Sequence, residues 1–262
     1  MELSLLYYLK RRKPIIGKKR IKPCDYPFTE TFDNTDRWEK SAWYLNPLVA
    51  GVPECFNPYT GTKCAVPYDI PKSKPYGQFG IVVKDLICDR ARIEFYFTSR
   101  EVHIIHPGET KECIRNYGDW MYVVAILRET DKYYCELRMH HDQSYAYLDV
   151  IEVFDKNWKT VKSSYIGQRI RVEPPRPFVW WHVIAEYRLL EDYTFKYWVR
   201  LRDPKHGYTT TAQGQFKYPT DDDRMAKMGC GIPQAYYAEG TAYDEYVDGA
   251  IDYFVVDEPQ NV

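Results

Sequence analysis

The sequence predicts an all-β protein in which two antiparallel sheets pack as a sandwich. Successive segments alternate apolar and polar residues with a period of two, which is typical of half-buried strands. Turn residues such as Pro107 and Gly108 separate these segments, and residues 221–228 are the one helix candidate in the body of the chain. Many short strands with little helix favour a sandwich over other architectures. The main predicted strands are residues 76–84, 90–100, 120–128, 132–140, 145–154, 180–189, 193–201 and 209–216.

The alternation is clearest in the predicted hairpin of residues 180–201. Every second residue from Trp181 to Leu189 is apolar and is expected to face the core, while His182, Glu186 and Arg188 are expected to face outwards. Residues 90–100 show the same pattern. Each of these strands is therefore predicted to have one buried face and one polar face.

Motifs near the two ends of the chain, and one motif between them, point to a particular sandwich. Residues 28–38 read F-T-E-T-F-D-N-T-D-R-W, and residues 248–256 read D-G-A-I-D-Y-F-V-V. Residues 76–84 read Y-G-Q-F-G-I-V-V-K. The end motifs resemble the first and last strands of the concanavalin A-like lectins and glucanases. The central motif is similar to a strand of the laminarinase-type glucanases within that superfamily.

The resemblance implies a two-sheet antiparallel jelly roll whose first and last strands pair side by side. It spans roughly residues 26–258, so we expect one concanavalin-like domain over residues 26–262. With 45% hydrophobic residues, the chain of 262 residues can build one large core of this kind.

Residues 1–25 are predicted to form a basic arm before this domain. Residues 1–22 hold eight basic side chains and one acid, although the whole chain has a net charge of −1. An arm of this charge suits a protein partner, a nucleic acid or another anionic surface. A solvated leader without a partner is the alternative. No apolar run reaches the length of a membrane span, and no signal-peptide pattern is present.

The seven cysteines indicate no metal motif. The count is odd, so at least one cannot form a disulfide within the chain, and no C-x-x-C pair occurs. Cys88 and Cys135 lie in strand-like runs and are expected to be small buried residues.

The polar faces of the predicted strands form the candidate binding surface. The chain is 16% aromatic, with 25 tyrosines. Aromatic rings suit the C–H surfaces of sugars, and paired polar groups suit hydroxyls or sugar carboxylates. A solvated face with cross-strand ion pairs is the alternative. The candidate carbohydrate-binding residues are Arg92, Glu94, Tyr96, Glu136, Arg138, His140, His182, Glu186, Arg188, Trp198 and Arg200.

Catalysis is the less favoured prediction, because the motifs of both relevant enzyme classes are missing. The E-x-D-x-x-E strand of laminarinase-type hydrolases does not occur, and the sandwich-fold lyase motifs are represented only by the fragment Glu136-Leu137-Arg138. If the protein were an enzyme, its catalytic groups would be sought among Glu94, Glu136, Glu186 and His140 on the concave sheet face, with carboxylates paired across strands.

A structural calcium ion is the one metal that the resemblance implies. Concanavalin-like domains often hold calcium where the first and last strands meet, and Asp33 and Asp252 occupy the corresponding segments here. No cofactor is required by the sequence, since no phosphate-binding or dinucleotide-binding motif occurs.

Taken together, these patterns predict a non-catalytic carbohydrate-binding or surface-attachment protein, with a virus or phage particle component as one setting. Its expected partner is an oligo- or polysaccharide. The alternative is a glycan-cleaving enzyme, either a glycoside hydrolase or a polysaccharide lyase.

Overall fold

The described part of the chain consists of strands. The structure, a computed structural model, describes in full residues 89–97, 125–140, 145–171, 180–219, 228–230 and 251–262, and it gives the backbone alone for further strand residues. The strands are β1 (Phe28–Glu30), β2 (Trp38–Glu39), β3 (Leu48–Ala50), β4 (Ala65–Pro67), β5 (Tyr76–Val83), β6 (Arg90–Ile104), β7 (Lys111–Cys113), β8 (Met121–Glu129), β9 (Tyr133–His141), β10 (Tyr145–Asp155), β11 (Thr160–Arg171), β12 (Trp181–Leu189), β13 (Thr194–Arg202), β14 (Thr209–Lys217), β15 (Lys227–Tyr236) and β16 (Glu245–Asp257).

Ten of these strands form two antiparallel sheets of five. The first sheet has the order β11-β10-β9-β8-β15, and the second has the order β16-β6-β12-β13-β14. The sheets are joined where β15 meets β16, through the pairs Ala235–Val247 and Tyr236–Tyr246. This arrangement confirms the predicted all-β sandwich.

The first and last strands pair side by side, as the resemblance to concanavalin-like jelly rolls implied. Phe28 lies opposite Val256 and Glu30 lies opposite Phe254 in an antiparallel ladder. On its other edge, β16 pairs with β6. The last strand therefore holds the beginning of the domain against the second sheet.

One core lies between the sheets and is built from alternate residues of their strands. Ile93 and Phe95 of β6 are fully buried, and so are Leu137 of β9 and Ile151 of β10. The inward and outward faces predicted for residues 181–201 are confirmed, because Val183 and its alternate neighbours face this core. Burial of apolar area at roughly 25 cal/mol per Å² is the main force holding the two sheets together.

Aromatic rings stack at one end of the core. Phe195 lies between Tyr187 and Phe216, with a centroid distance of 5.0 Å to each. Tyr218 lies 5.6 Å from the same ring. Offset stacking of this kind adds to the stabilisation from buried area.

The predicted helix needs correction, and the predictions for residues 1–25 and Cys88 fall outside the described residues. Residues 227 and 228, at the end of the predicted helix, are the first residues of strand β15, and residues 221–226 lie outside the described part. Residues 1–25, the predicted basic arm, also lie outside it.

Cys135 is buried with a free thiol, as expected, whereas Cys88 is not described. In the described residues, no helix is long and apolar enough to cross a membrane.

Candidate functional site

The predicted sugar-contacting residues lie on two different outer faces. Glu136, Arg138 and His140 project from β9, which belongs to the first sheet. The others lie on β6, β12 and β13 of the second sheet: Arg92, Glu94, Tyr96, His182, Glu186, Arg188, Trp198 and Arg200. These residues therefore do not line one groove. Glu136 cannot form a catalytic pair with Glu94 or Glu186, because β9 does not neighbour β6 or β12.

On the outer face of the second sheet, the polar side chains are bonded to one another. His182 Nε2 lies 2.6 Å from Glu94 Oε1, and Arg92 bonds the other oxygen of the same carboxylate. The His182 ring also stacks on Tyr96, with a centroid distance of 4.5 Å. Burial alone would raise the pKa of Glu94, but the hydrogen bond to His182 and the charge of Arg92 outweigh it and lower the pKa.

The chain itself covers part of this second face. Glu186 is almost fully buried, and its Oε2 atom accepts hydrogen bonds from the backbone N–H groups of Gln260 and Asn261, at 2.9 and 2.6 Å. The Asn261 side chain donates to Oε1 of the same carboxylate at 2.9 Å. Glu258 forms an ion pair with Arg90 nearby. The predicted carbohydrate-binding role of Glu186 therefore competes with a structural role.

The outer face of β9, β10 and β11 in the first sheet, hereafter the β9–β11 face, carries a different set of groups. Arg138 bonds Glu136 Oε1 at 2.7 Å through Nε and Glu152 Oε2 at 3.0 Å through Nη1. Glu136 and Glu152 lie directly opposite each other in the β9–β10 ladder. The two carboxylates share one guanidinium, which offsets part of their repulsion.

Glu136 differs from Glu152 in its burial. Its side chain is almost inaccessible to solvent, and Oε2 has no hydrogen-bond partner within the described residues. Burial raises the pKa of Glu136, Arg138 opposes that change, and the negative charge of Glu152 adds to it. Glu136 thus takes up a proton more readily than a solvent-exposed glutamate does.

A histidine–aspartate pair lies further along the same face. His140 Nδ1 is hydrogen-bonded to Asp149 Oδ2, and the His140 ring stacks on Tyr147 at 4.2 Å with an interplanar angle of 11°. The aspartate bond fixes which ring nitrogen faces away from it. A ring held on two sides in this way has a fixed orientation.

Aromatic and cationic groups surround this pair. Arg169 of β11 lies opposite Tyr147 in the ladder, and its guanidinium is 4.4 Å from the Tyr145 ring centroid. Tyr165 of β11 lies opposite Val150 and is 82% exposed. Such large exposure of an aromatic ring on a sheet face is informative, because tyrosine side chains are usually more buried than this.

The folded chain resembles several solved structures in its strand arrangement. No protein-family model and no curated protein matches the sequence. Lectin II from Ulex europaeus is 12% identical with a TM-score of 0.38, covering 89% of this chain and 99% of the lectin. Lectin I from Ulex europaeus is 10% identical with a TM-score of 0.39, covering 88% and 98%. The marine PL-14 alginate lyase from Aplysia kurodai is 9% identical with a TM-score of 0.35, covering 91% and 92%. At these values, no residue role is transferred to this chain.

Several groups of the β9–β11 face were not singled out from the sequence. Asp149 and Glu152 were missed because nothing local shows that β10 pairs with β9 and places them beside His140 and Arg138. Tyr145 and Tyr147 could have been found from the sequence, because their spacing of two residues places both rings on one face of a strand. Tyr165 was missed together with the whole of β11.

The structure describes one of the two residues predicted to bind calcium. Asp252 is fully buried on β16, opposite Tyr96, whereas Asp33 lies outside the described residues. Among the side chains that the structure describes, no group of three or more His, Cys, Asp or Glu residues is placed to hold a metal ion. Calcium binding at Asp33 and Asp252 stays a prediction.

Proposed function

We propose that this protein binds an oligo- or polysaccharide through the β9–β11 face. The observation that carries the proposal is the exposed ring of Tyr165, with the half-buried ring of Tyr147 and the fixed polar groups of His140, Asp149 and Arg138 on the same face. Rings provide flat contacts for the C–H faces of sugars, and fixed polar groups select hydroxyls. Three of the predicted carbohydrate-binding residues, Glu136, Arg138 and His140, remain in this proposal.

The second sheet is the weaker candidate for the sugar site. Glu94 and His182 bond each other, and Glu186 already binds the chain's own residues 260 and 261. A ligand on this face would have to break these bonds, and each hydrogen bond to a charged group costs about 1.5–3 kcal/mol to lose. On the β9–β11 face, Arg138 and His140 are also bonded within the chain, but a ligand can cover the exposed Tyr165 ring without breaking those bonds.

One end of the β9–β11 face favours an acidic sugar. Arg169 and Arg171 are both exposed on β11, opposite Tyr147 and Tyr145. A planar guanidinium bonds carboxylates and sulfates through two parallel N–H groups. The ligand that fits this end best is therefore an oligosaccharide that carries a carboxylate or a sulfate.

A glycan array of neutral and acidic polysaccharides, probed with the full chain, tests the proposal. We expect binding, with acidic glycans preferred, and we expect Arg169→Gln to weaken binding of the acidic glycans by about tenfold. Tyr208→Ala is a matched control, because Tyr208 is also partly exposed but lies in the β13–β14 connection. Absence of binding to every glycan would contradict the proposal.

Glycan cleavage is a second candidate, motivated by the Glu136–Glu152 pair. Carboxyl groups of directly opposed residues on adjacent strands can approach the separation of about 5–5.5 Å that retaining glycosidases use. The raised pKa of Glu136 would suit a general acid, and Glu152 lies directly opposite it in the ladder. Incubation of a bound polysaccharide, followed by assays for reducing ends and for unsaturated uronates, tests this candidate. Activity that survives in Glu136→Gln would contradict it.

A role at a particle surface is a separate proposal about residues 1–25. Their positive charge suits attachment to an anionic or protein partner, which would leave the sandwich domain to bind glycan. Deletion of residues 1–25 should abolish such attachment while glycan binding is retained. Equal attachment with and without these residues would contradict the proposal.

A further inference from the structure

Trp158 lies in the turn between β10 and β11 with an unusual backbone conformation. Its φ is 65°, a region that bulky residues rarely adopt, and its side chain is 47% exposed. Residues held in such conformations cluster at binding sites, where the surrounding structure compensates for the strain. The turn therefore displays a large aromatic ring at an energetic cost.

Hydrogen bonds accepted by Asp155 hold this turn in place. Asp155 Oδ1 accepts from the backbone N–H groups of Asn157 at 2.8 Å and Lys159 at 3.0 Å. The backbone N–H of Trp158 also donates to the carbonyl oxygen of Asp155, at 3.0 Å. These hydrogen bonds therefore hold the backbone from which the Trp158 side chain projects.

The Trp158 ring belongs to the β9–β11 face. It stacks on Tyr134 with a centroid distance of 5.3 Å and an angle of 11°, and it lies 6.3 Å from Phe154. Tyr134 is on the same side of β9 as Glu136, and Phe154 lies opposite it in the ladder. Lys156 packs over Tyr134, at 3.6 Å from the ring centroid, and completes an aromatic platform in which buried Tyr134 and Phe154 support the exposed Trp158 ring.

This platform and the Tyr145–Tyr147 pair lie at opposite ends of β10. Phe154 lies seven positions after Tyr147, which corresponds to roughly 20–25 Å along an extended strand. Tyr165 and the Glu136–Arg138–Glu152 group lie between the two ends. The face therefore presents aromatic rings over a length of several sugar units, with polar groups between them.

We infer that the ligand is an extended polysaccharide chain that runs along β10, with Trp158 as a stacking subsite at the far end from Tyr147. This inference rests on the proposed glycan binding and names the substrate class of the same face. A monosaccharide or a disaccharide could contact only one end. Affinity should therefore rise with chain length until the ligand spans both ends.

A length series of oligosaccharides tests the inference. Cello-oligosaccharides and oligogalacturonates from the disaccharide to the octasaccharide provide neutral and acidic probes, and calorimetry gives each dissociation constant. Trp158→Asn removes the ring but suits a positive φ, so the turn is retained. We expect this variant to weaken octasaccharide binding about tenfold or more and to change disaccharide binding less than about twofold. Tyr208→Ala should leave both unchanged.

The outcomes separate this inference from the proposed function. Binding that depends on Arg169 and Tyr165 but neither rises with chain length nor responds to Trp158→Asn would overturn the extended-chain inference alone. Equal weakening of short and long ligands by Trp158→Asn would also overturn it, because Trp158 would then belong to a single short site. Failure of both probe series and of the array glycans to bind the wild-type chain would overturn both proposals.

Discussion

Glu136 and Glu94 show how the same side chain acquires opposite properties on the two sheet faces. Burial raises the pKa of Glu136. A carboxyl group whose pKa is higher in the folded state favours folding when it is protonated, and this contribution is lost as the pH rises through the folded-state pKa. We therefore expect Glu136→Gln to match or exceed the wild-type free energy of unfolding at neutral pH. The gain should shrink as the pH falls, as measured by urea unfolding across a pH series.

Glu94→Gln is the matched variant, and its effect on the free energy of unfolding at neutral pH should have the opposite sign. Burial opposes ionisation of Glu94, but the bond to His182 and the charge of Arg92 lower its pKa overall. Its stabilising contribution is present above the unfolded-state pKa and is lost as the pH falls through the lowered value. Glu94→Gln should therefore reduce the free energy of unfolding at neutral pH, with the difference vanishing in acid. The same pH trend for both variants would contradict this account.

Within single elements, the aromatic stack around Phe195 makes the strongest prediction about stability. Phe195 is fully buried between Tyr187 and Phe216. Phe195→Ala should lower the free energy of unfolding by about 3–5 kcal/mol, because it leaves a cavity between two rings. Phe195→Leu should cost roughly 1 kcal/mol, since most of the volume is retained. Equal losses in the two variants would show that cavity formation is not the cause.

Most strands could be predicted from the sequence, whereas β11 could not. Strands such as β6 and β12 alternate strongly because one face is buried in the core. Residues 160–171 are exposed at most positions and include Gly167, so the apolar alternation that marks a strand is weak. An edge strand needs less burial than a central one, since only one of its neighbours is a strand. Because β11 was not predicted, Tyr165 and Arg169 were not recognised as members of the candidate site.

The candidate site was predicted only in part for a different reason. Local alternation shows which side chains of β9 or β12 face outwards, and the structure confirms those faces. It does not show which strands are neighbours, because that order depends on long-range pairing. Groups that the sequence placed together, such as Glu136 and Glu186, therefore lie on opposite sides of the sandwich.

At the scale of the whole molecule, residues 258–262 stabilise the outer face of the second sheet. Their deletion would remove the backbone donors at residues 260 and 261 from the buried Glu186 carboxylate. We expect the deletion to lower the free energy of unfolding by about 3 kcal/mol. In a Glu186→Ala background, the same deletion should cost much less, because the two changes remove one shared interaction. Fully additive losses in this double-mutant cycle would contradict the account.

The β9–β11 face, rather than the second sheet, is proposed to bind glycan. The most direct measurement compares the affinity of Tyr165→Ala and Trp198→Ala for the glycan that the wild-type chain binds best. Tyr165 is exposed on the first sheet, and Trp198 lies opposite Glu186 on the second. We expect Tyr165→Ala to weaken binding about tenfold and Trp198→Ala to change it less than about twofold. Loss of binding in Trp198→Ala, with Tyr165→Ala unaffected, would contradict the proposal.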